Sequence, residues 1–269
     1  MDIEAHDAGM TNDSYIFKLS TGDERFIIRT PGKGSDILID RHKEHTVYKR
    51  IAPYGFCDEI VYINPDTGYK VTKYWEGART CDPFCTKDLS ACMQRLRRFH
   101  ELNLKESHSF CPFERIGYYE SLWEGKPSRY EDYIKTKTKI FGLKSYIDSL
   151  PKTLCLTHID AVAANFVFLS DGQLRLIDWE YSAMQDPHLD IAMFAIYAMF
   201  DKKQTENLMD HYFTDGCTPQ TRQKIHAYTA VCGLLWSNWC EYKGHLGDDF
   251  GDYALAQYSY AKDFSFSEG

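Results

Sequence analysis

A chain of 269 residues with 43% hydrophobic and 26% charged residues has ordinary globular composition, which excludes a disordered tail and allows one large domain or two modest lobes. Its net charge of -8 argues against a general binder of nucleic acid or anionic membrane, and leaves room for a small cationic substrate. Nine scattered cysteines contain no C-x-x-C pair, so reduced thiols in a cytoplasmic protein are expected.

The opening residues show no basic flank followed by an apolar core, so no secretory signal is expected. The longest apolar run, "IAMFAIYAMF", is roughly half a bilayer span, and no membrane insertion is expected either. The first 75 residues read as mostly β. "SYIFKLS" and "RFIIRT" alternate across "TGDE", where Gly22 is expected to supply a positive φ. "EIVYI" and "YKVTKY" repeat the arrangement across "NPDTG". Between the hairpins, "DILIDRHKEHTVYKRIA" places Ile37, Ile39, Val47 and Ile51 at amphipathic spacing, which predicts a helix ending near Gly55.

After the connector "WEGAR" the pattern turns helical. "TKDLSACMQRLRRFHELN" has Thr86 as expected N-cap and carries Leu89, Cys92, Met93, Leu96 and Phe99 on one face. Further helices are predicted over "SRYEDYIKTK", "LDIAMFAIYAMF", "DYALAQYSYAKDF" and the long stretch from Thr218, with Pro219 at its first helical position. The layout is α+β, a small antiparallel β-rich lobe over 1–75 and a larger helical lobe over 76–269, with a hinge at 74–79.

Between the lobes' helices lies "LTHIDAVAANFVFLSDGQLRLIDWEYS". Two short strands, "NFVFL" and "QLRLID", are reversed by "SDG", and a hairpin returns its second strand beside the start of its first. Asp178 is therefore carried back toward Asn165 and the loop holding Asp160. Magnesium takes hard oxygen ligands, which Asp178 and the Asn165 side-chain carbonyl supply, and Asp160 stands where a base meets a substrate hydroxyl. Those parts are what phosphoryl transfer asks for, together with positive charge on the phosphates.

"HIDAVAAN", "LIDWEYS" and "HLDIAMF" resemble the choline and ethanolamine kinase branch of the protein-kinase-like fold, which includes aminoglycoside phosphotransferases. "AGMTNDSYIF" resembles the "GGMTN" phosphate loop of bacterial lic-type choline kinases, and "FIIRTPGKG" their next strand. The resemblance implies a bilobal fold, Mg-ATP as co-substrate, Asp160 as base, and Asn165 and Asp178 as metal ligands. At the nucleotide it implies Gly9, Thr11 and Asn12 in the phosphate turn, and Arg29 as the strand cation with Glu44 as its helix partner. Tyr74, Trp75 and Glu76 are expected to meet adenine through backbone groups.

Substrate identity rests on the last helices. Trp236 and Trp239 lie three apart, so both rings share a helix face. A quaternary ammonium donates no N–H bond and is held by aromatic faces. The resemblance to choline kinases gives Trp236, Trp239 and Tyr253 as cage walls, with Tyr181 and Tyr197 as additions. Glu180 either supplies negative charge to the cation or assists a second metal, and Asp190 reads as a structural support of the catalytic loop. The function expected is transfer of a phosphoryl group from Mg-ATP to choline. The rivals are ethanolamine, an aminoglycoside bound by the carboxylates of "EYKGHLGDDFGD", and a silent nucleotide-binding pseudokinase.

Overall fold

The computed structural model describes residues 2–6 and 11–264, and they divide into two compact units. The first comprises the chain up to Arg95 together with Ala163–Ser182; the second comprises Leu96–Val162 and the chain from Ala183.

The first unit is built on a five-stranded antiparallel sheet of β1 (Asp2–Ala5), β2 (Asn12–Lys18), β3 (Arg25–Pro31), β4 (Ile60–Ile63) and β5 (Lys70–Lys73), in the order β1-β2-β3-β5-β4. Both expected hairpins form, and β1 adds a strand that the sequence reading omitted. Gly22 lies outside the left-handed region. Six residues separate β2 from β3, and six separate β4 from β5, where Gly68 does take φ 70°; glycine permits a positive φ without requiring one. Helix α1 (Arg41–Ile51) starts later than expected, because Asp40 caps it by accepting from Lys43 N at 3.2 Å. Ile37 and Ile39 therefore precede the helix, and Ile37 is exposed.

A second sheet in the same unit joins β6 (Arg79–Thr80), β8 (Phe166–Phe168) and β9 (Leu174–Leu176) in the order β6-β8-β9. The hairpin β8–β9 pairs Phe166 with Leu176, with Gly172 at φ 85° in its turn. Helix α2 (Thr86–Glu101) begins at Thr86, but the cap is Cys85, whose carbonyl accepts from Leu89 N at 3.0 Å. The five apolar positions expected on its inner face are all buried.

The second unit holds α3 (Pro112–Ser121), α4 (Tyr133–Ser149), α5 (His188–Tyr197), α6 (Lys202–Tyr212), α7 (Pro219–His245) and α8 (Gly251–Asp263). A short ladder of β7 (Cys155–Thr157) and β10 (Ala183–Gln185) carries the catalytic-loop region. Helices α3 and α6 were not expected, and α4 starts at Tyr133, directly after "SRYED" and five residues later than expected. Thr218 caps α7 as expected, accepting from Thr221 N at 3.1 Å, with Pro219 as first helical residue. Helix α7 is buried along most of its length and is the centre of the unit. Its Gly233 lets α8 approach closely: a Cβ there would meet Gln257 O at 2.7 Å and Tyr260 Cβ at 2.6 Å.

Candidate active site

In the first unit the antiparallel register sets Arg29 of β3 directly opposite Lys70 of β5, so two cations share one face of the sheet. Both are buried, and both meet the acids of neighbouring elements. Arg29 grips Glu44 of α1 through two nitrogens, Nη1 to Oε1 at 2.6 Å and Nη2 to Oε2 at 2.8 Å. The expected pairing of strand cation and helix glutamate is therefore present. Arg29 also reaches Asp178 at 3.3 Å and Glu180 at 3.2 Å. Arg41, one turn before Glu44, bonds Glu44 at 3.0 Å and Glu180 at 2.8 Å. Lys70 donates to Tyr48 Oη at 2.6 Å, and lies 3.3 Å from Asp58, 3.8 Å from Asp178 and 3.9 Å from Glu44.

Arg41, Tyr48, Asp58 and Lys70 were missed by the sequence reading. Arg41 and Glu44 stand at helical i, i+3 spacing, which was a usable signal. Lys70 carried none, because its role depends on which strand lies beside β5.

Three cations thus face four carboxylates: Arg29, Arg41 and Lys70 against Glu44, Asp58, Asp178 and Glu180. The excess of negative charge shows in the acids. Burial by itself raises the Glu44 carboxyl, but Arg29 with Lys70 and Arg41 outweighs it and holds the group at about 2. Glu180 goes the other way, pushed up to about 7 by burial and by the neighbouring Asp178.

The β8–β9 hairpin does return Asp178 toward Asn165, with Ile177 N donating to the Asn165 carbonyl at 2.9 Å. Asp178 sits at φ 65°, a left-handed backbone uncommon outside glycine. Its carboxylate is the partly exposed member of the cluster, whereas Glu44 and Glu180 are enclosed. Glu44, Asp178 and Glu180 each place one carboxylate oxygen within 4.8 Å of the others. An all-oxygen donor set with one open carboxylate fits a hard divalent cation such as Mg²⁺. Glu44 and Glu180 are each held by two arginines within 3.2 Å, which leaves Asp178 as the carboxylate open to such an ion.

Gly9 lies outside the described residues. The Asn12 side chain donates to Glu180 at 2.8 Å and accepts from Arg41 at 2.7 Å, so its amide braces the ionic cluster. Thr11 abuts Gly32, where a Cβ would come within 2.5 Å of Thr11 O. At 74–76, Tyr74 N donates to Arg25 O at 3.0 Å and Trp75 O accepts from Ala78 N at 3.3 Å. Two of the backbone groups expected for adenine are thus used in the protein's own strand and turn. Glu76 is clamped by Arg25 through two bonds of 2.6 and 2.7 Å. Glu180 likewise accepts at its Oε2 from Arg41, Arg29 and Asn12, inside the ionic cluster.

In the second unit, Asp160 follows β7 in a loop held from beneath by Asp190 of α5. Asp190 accepts from His158 N at 2.8 Å and Ile159 N at 2.7 Å, and meets His100 Nε2 at 2.9 Å. The structural role expected for Asp190 is what these bonds show. They also hold Ile159 at φ 70°, a costly conformation for a β-branched residue.

The rings assemble on α5, α7 and α8. Tyr197 meets Trp236 edge-on at 5.5 Å and Tyr253 at 5.9 Å, and Trp236 meets Trp239 at 5.5 Å. Phe250, absent from the expected set, joins through Trp239 at 5.2 Å and Tyr253 at 6.5 Å. Burial pushes the Tyr253 hydroxyl up, and the neighbouring Cys240 adds to this. Tyr181, the remaining expected ring, is buried in the first unit.

A sequence model of the choline/ethanolamine kinase family matches residues 3–209. The crystal structure of the choline kinase LicA from Streptococcus pneumoniae superposes with a TM-score of 0.86 at 31% identity, covering 98% of this chain and 92% of that one. A LicA crystal structure in complex with AMP gives a TM-score of 0.83 at 30% identity, covering 97% and 92%. The protein LicA of Haemophilus influenzae is 28% identical over 91% of this chain and 95% of its own length. Among the described residues no helix is long and apolar enough to cross a membrane. The chain belongs to the choline/ethanolamine kinase family and is an ATP-dependent small-molecule kinase of protein-kinase-like fold.

Proposed function

We propose that the protein phosphorylates choline, transferring the γ-phosphoryl group of Mg-ATP to its hydroxyl and releasing phosphocholine and ADP. The observation that carries this is the ring cluster of Tyr197, Trp236, Trp239 and Tyr253. Aromatic faces hold a quaternary ammonium, which offers no N–H to a carboxylate. The likeness to LicA choline kinase and to LicA bound to AMP supports both substrates.

Mg²⁺ held by Asp178 and Asn165 neutralises phosphate charge when bound. Arg29, fixed by Glu44, supplies positive charge to the phosphates, as Thr11 and Gly9 supply backbone N–H groups. Asp160 accepts the hydroxyl proton of choline and orients its oxygen for in-line attack. Little covalent work falls to the protein, so positioning and electrostatics account for most of the rate.

The aminoglycoside reading needs an acidic groove, and three of the four carboxylates that suggested one have partners of their own. Glu241 accepts from Ser128 Oγ at 2.6 Å, Asp248 pairs with Lys243 at 2.8 Å, and Asp249 accepts from Gly251 N at 3.0 Å. The test is ADP release with Mg-ATP on choline, ethanolamine and an aminoglycoside panel, with Asp160→Asn as control. Turnover on choline, lost by about 100-fold or more in the variant, is expected for a missing general base. Turnover on another alcohol alone overturns the choline reading and keeps the kinase.

A further inference from the structure

Between α7 and α8 the chain turns through residues 246–250, and this turn delivers Phe250 to the ring cluster. It is folded back on the end of α7: Leu246 N and Asp248 N both donate to Lys243 O, at 2.9 and 3.2 Å, and Gly247 N donates to Gly244 O at 3.1 Å. Gly247 at φ 107° and Gly251 at φ 41° make the reversals on either side of Phe250. Phe250 O then accepts from Tyr253 N at 2.9 Å, so the residue that supplies one ring also starts the helix that supplies the next.

The same turn carries an ion pair. The Lys243 side chain is only 7% exposed, its Nζ lies 2.8 Å from Asp248 Oδ2, and it stands over the Trp239 ring at 6.0 Å from the centroid. An ammonium of the protein's own therefore borders a ring that would hold the ammonium of the substrate. Like charges at such a range repel strongly where water is excluded, and Asp248 cancels the charge locally.

We propose that Lys243 and Asp248 form a positioning pair for the cationic end of the substrate. The pair pins the turn that presents Phe250, and Asp248 masks the Lys243 charge beside Trp239 so that a quaternary ammonium is accepted. This rests on the ring cluster being the substrate pocket.

The experiment measures KM for choline and for ATP, with melting temperature, in Asp248→Asn, Lys243→Met and the double variant. Asp248→Asn leaves the Lys243 ammonium without this counter-charge and raises the choline KM about tenfold, with the ATP KM unmoved. Lys243→Met removes the charge itself and raises it about threefold, and the double variant follows Lys243→Met rather than the sum of the two. Inhibition by 3,3-dimethylbutan-1-ol, the uncharged isostere of choline, is weakened far less than choline binding by Asp248→Asn. If Asp248→Asn fails to fold, Lys243→Met and the double variant carry the test through their equality on choline. Additive losses, or equal losses for choline and the isostere, overturn the masking role. Trp239→Ala serves as reference: if it raises the choline KM and the pair's variants do not, the pair falls alone. If it too leaves the choline KM unchanged, the pocket assignment and the pair fall together.

Discussion

The two units each bury a cluster suited to a cation, and they do it by opposite means. In the first, arginines, a lysine and carboxylates fix one another through directed bonds of 2.6–3.9 Å. In the second, Tyr197, Trp236, Trp239, Phe250 and Tyr253 are arranged by packing, with centroids 5.2–6.5 Å apart. Moving one buried ion exposes its partners to the full cost of desolvation, whereas moving one ring forfeits only its share of contact area and cation–π attraction. The ionic cluster should therefore fail all at once under substitution, and the ring cluster by degrees.

The sharpest way to break that contrast is Arg29→Met. It removes the group that three carboxylates share, and removing one partner of a buried ion pair costs about 3–5 kcal/mol. Loss of both melting temperature and turnover is expected. Arg29→Lys keeps the charge but not the two-nitrogen grip on Glu44, and should restore folding while leaving turnover at least tenfold low. A stable, active Arg29→Met would show that the cluster tolerates loss as the rings do.

Trp239→Ala tests the graded side. One aromatic face is worth about 1–2 kcal/mol to a desolvated cation, so the choline KM should rise about 5- to 30-fold while the ATP KM stays. Some melting temperature is lost as well, because Trp239 is fully buried. Equal rises in both KM values would return Trp239 to a packing role and erase the contrast.

Local pattern carried much of this into the sequence. The β8–β9 hairpin, the Thr218 cap and the buried face of α2 follow from turn chemistry or periodicity, and the pairing of Arg29 with Glu44 from the family resemblance. What stayed hidden depends on neighbours far along the chain. Lys70 enters the ionic cluster only because β5 pairs with β3, and Asn12 joins it because Arg41 and Glu180 converge on it. Phe250 reads as a loop aromatic until the fold of the 246–250 turn brings it to Trp239. Gly22 misled for the converse reason: glycine permits a positive φ without requiring one.

The smallest expected effect probes the charge excess of the first cluster through pH. Glu180 is pushed up to about 7 from an ordinary value of 4.5, so the folded state binds its proton more tightly than the unfolded chain. Its contribution to stability is complete below 4.5 and is lost as pH rises through 7. Glu44, held at about 2, behaves in the opposite sense, contributing above 4.5 and losing that contribution only as pH falls toward 2. Between pH 5 and 8 Glu44 therefore adds no slope. His188, driven down to about 4 by burial, adds a slope of the opposite sign to Glu180, and does so equally with or without Glu180. The fall in melting temperature from pH 5 to pH 8 should accordingly shrink in Glu180→Gln relative to the native chain. An unchanged fall would mean that Asp178 and the arginines share their charge without lifting Glu180, and the excess would then rest on Asp178, the carboxylate open to a metal ion.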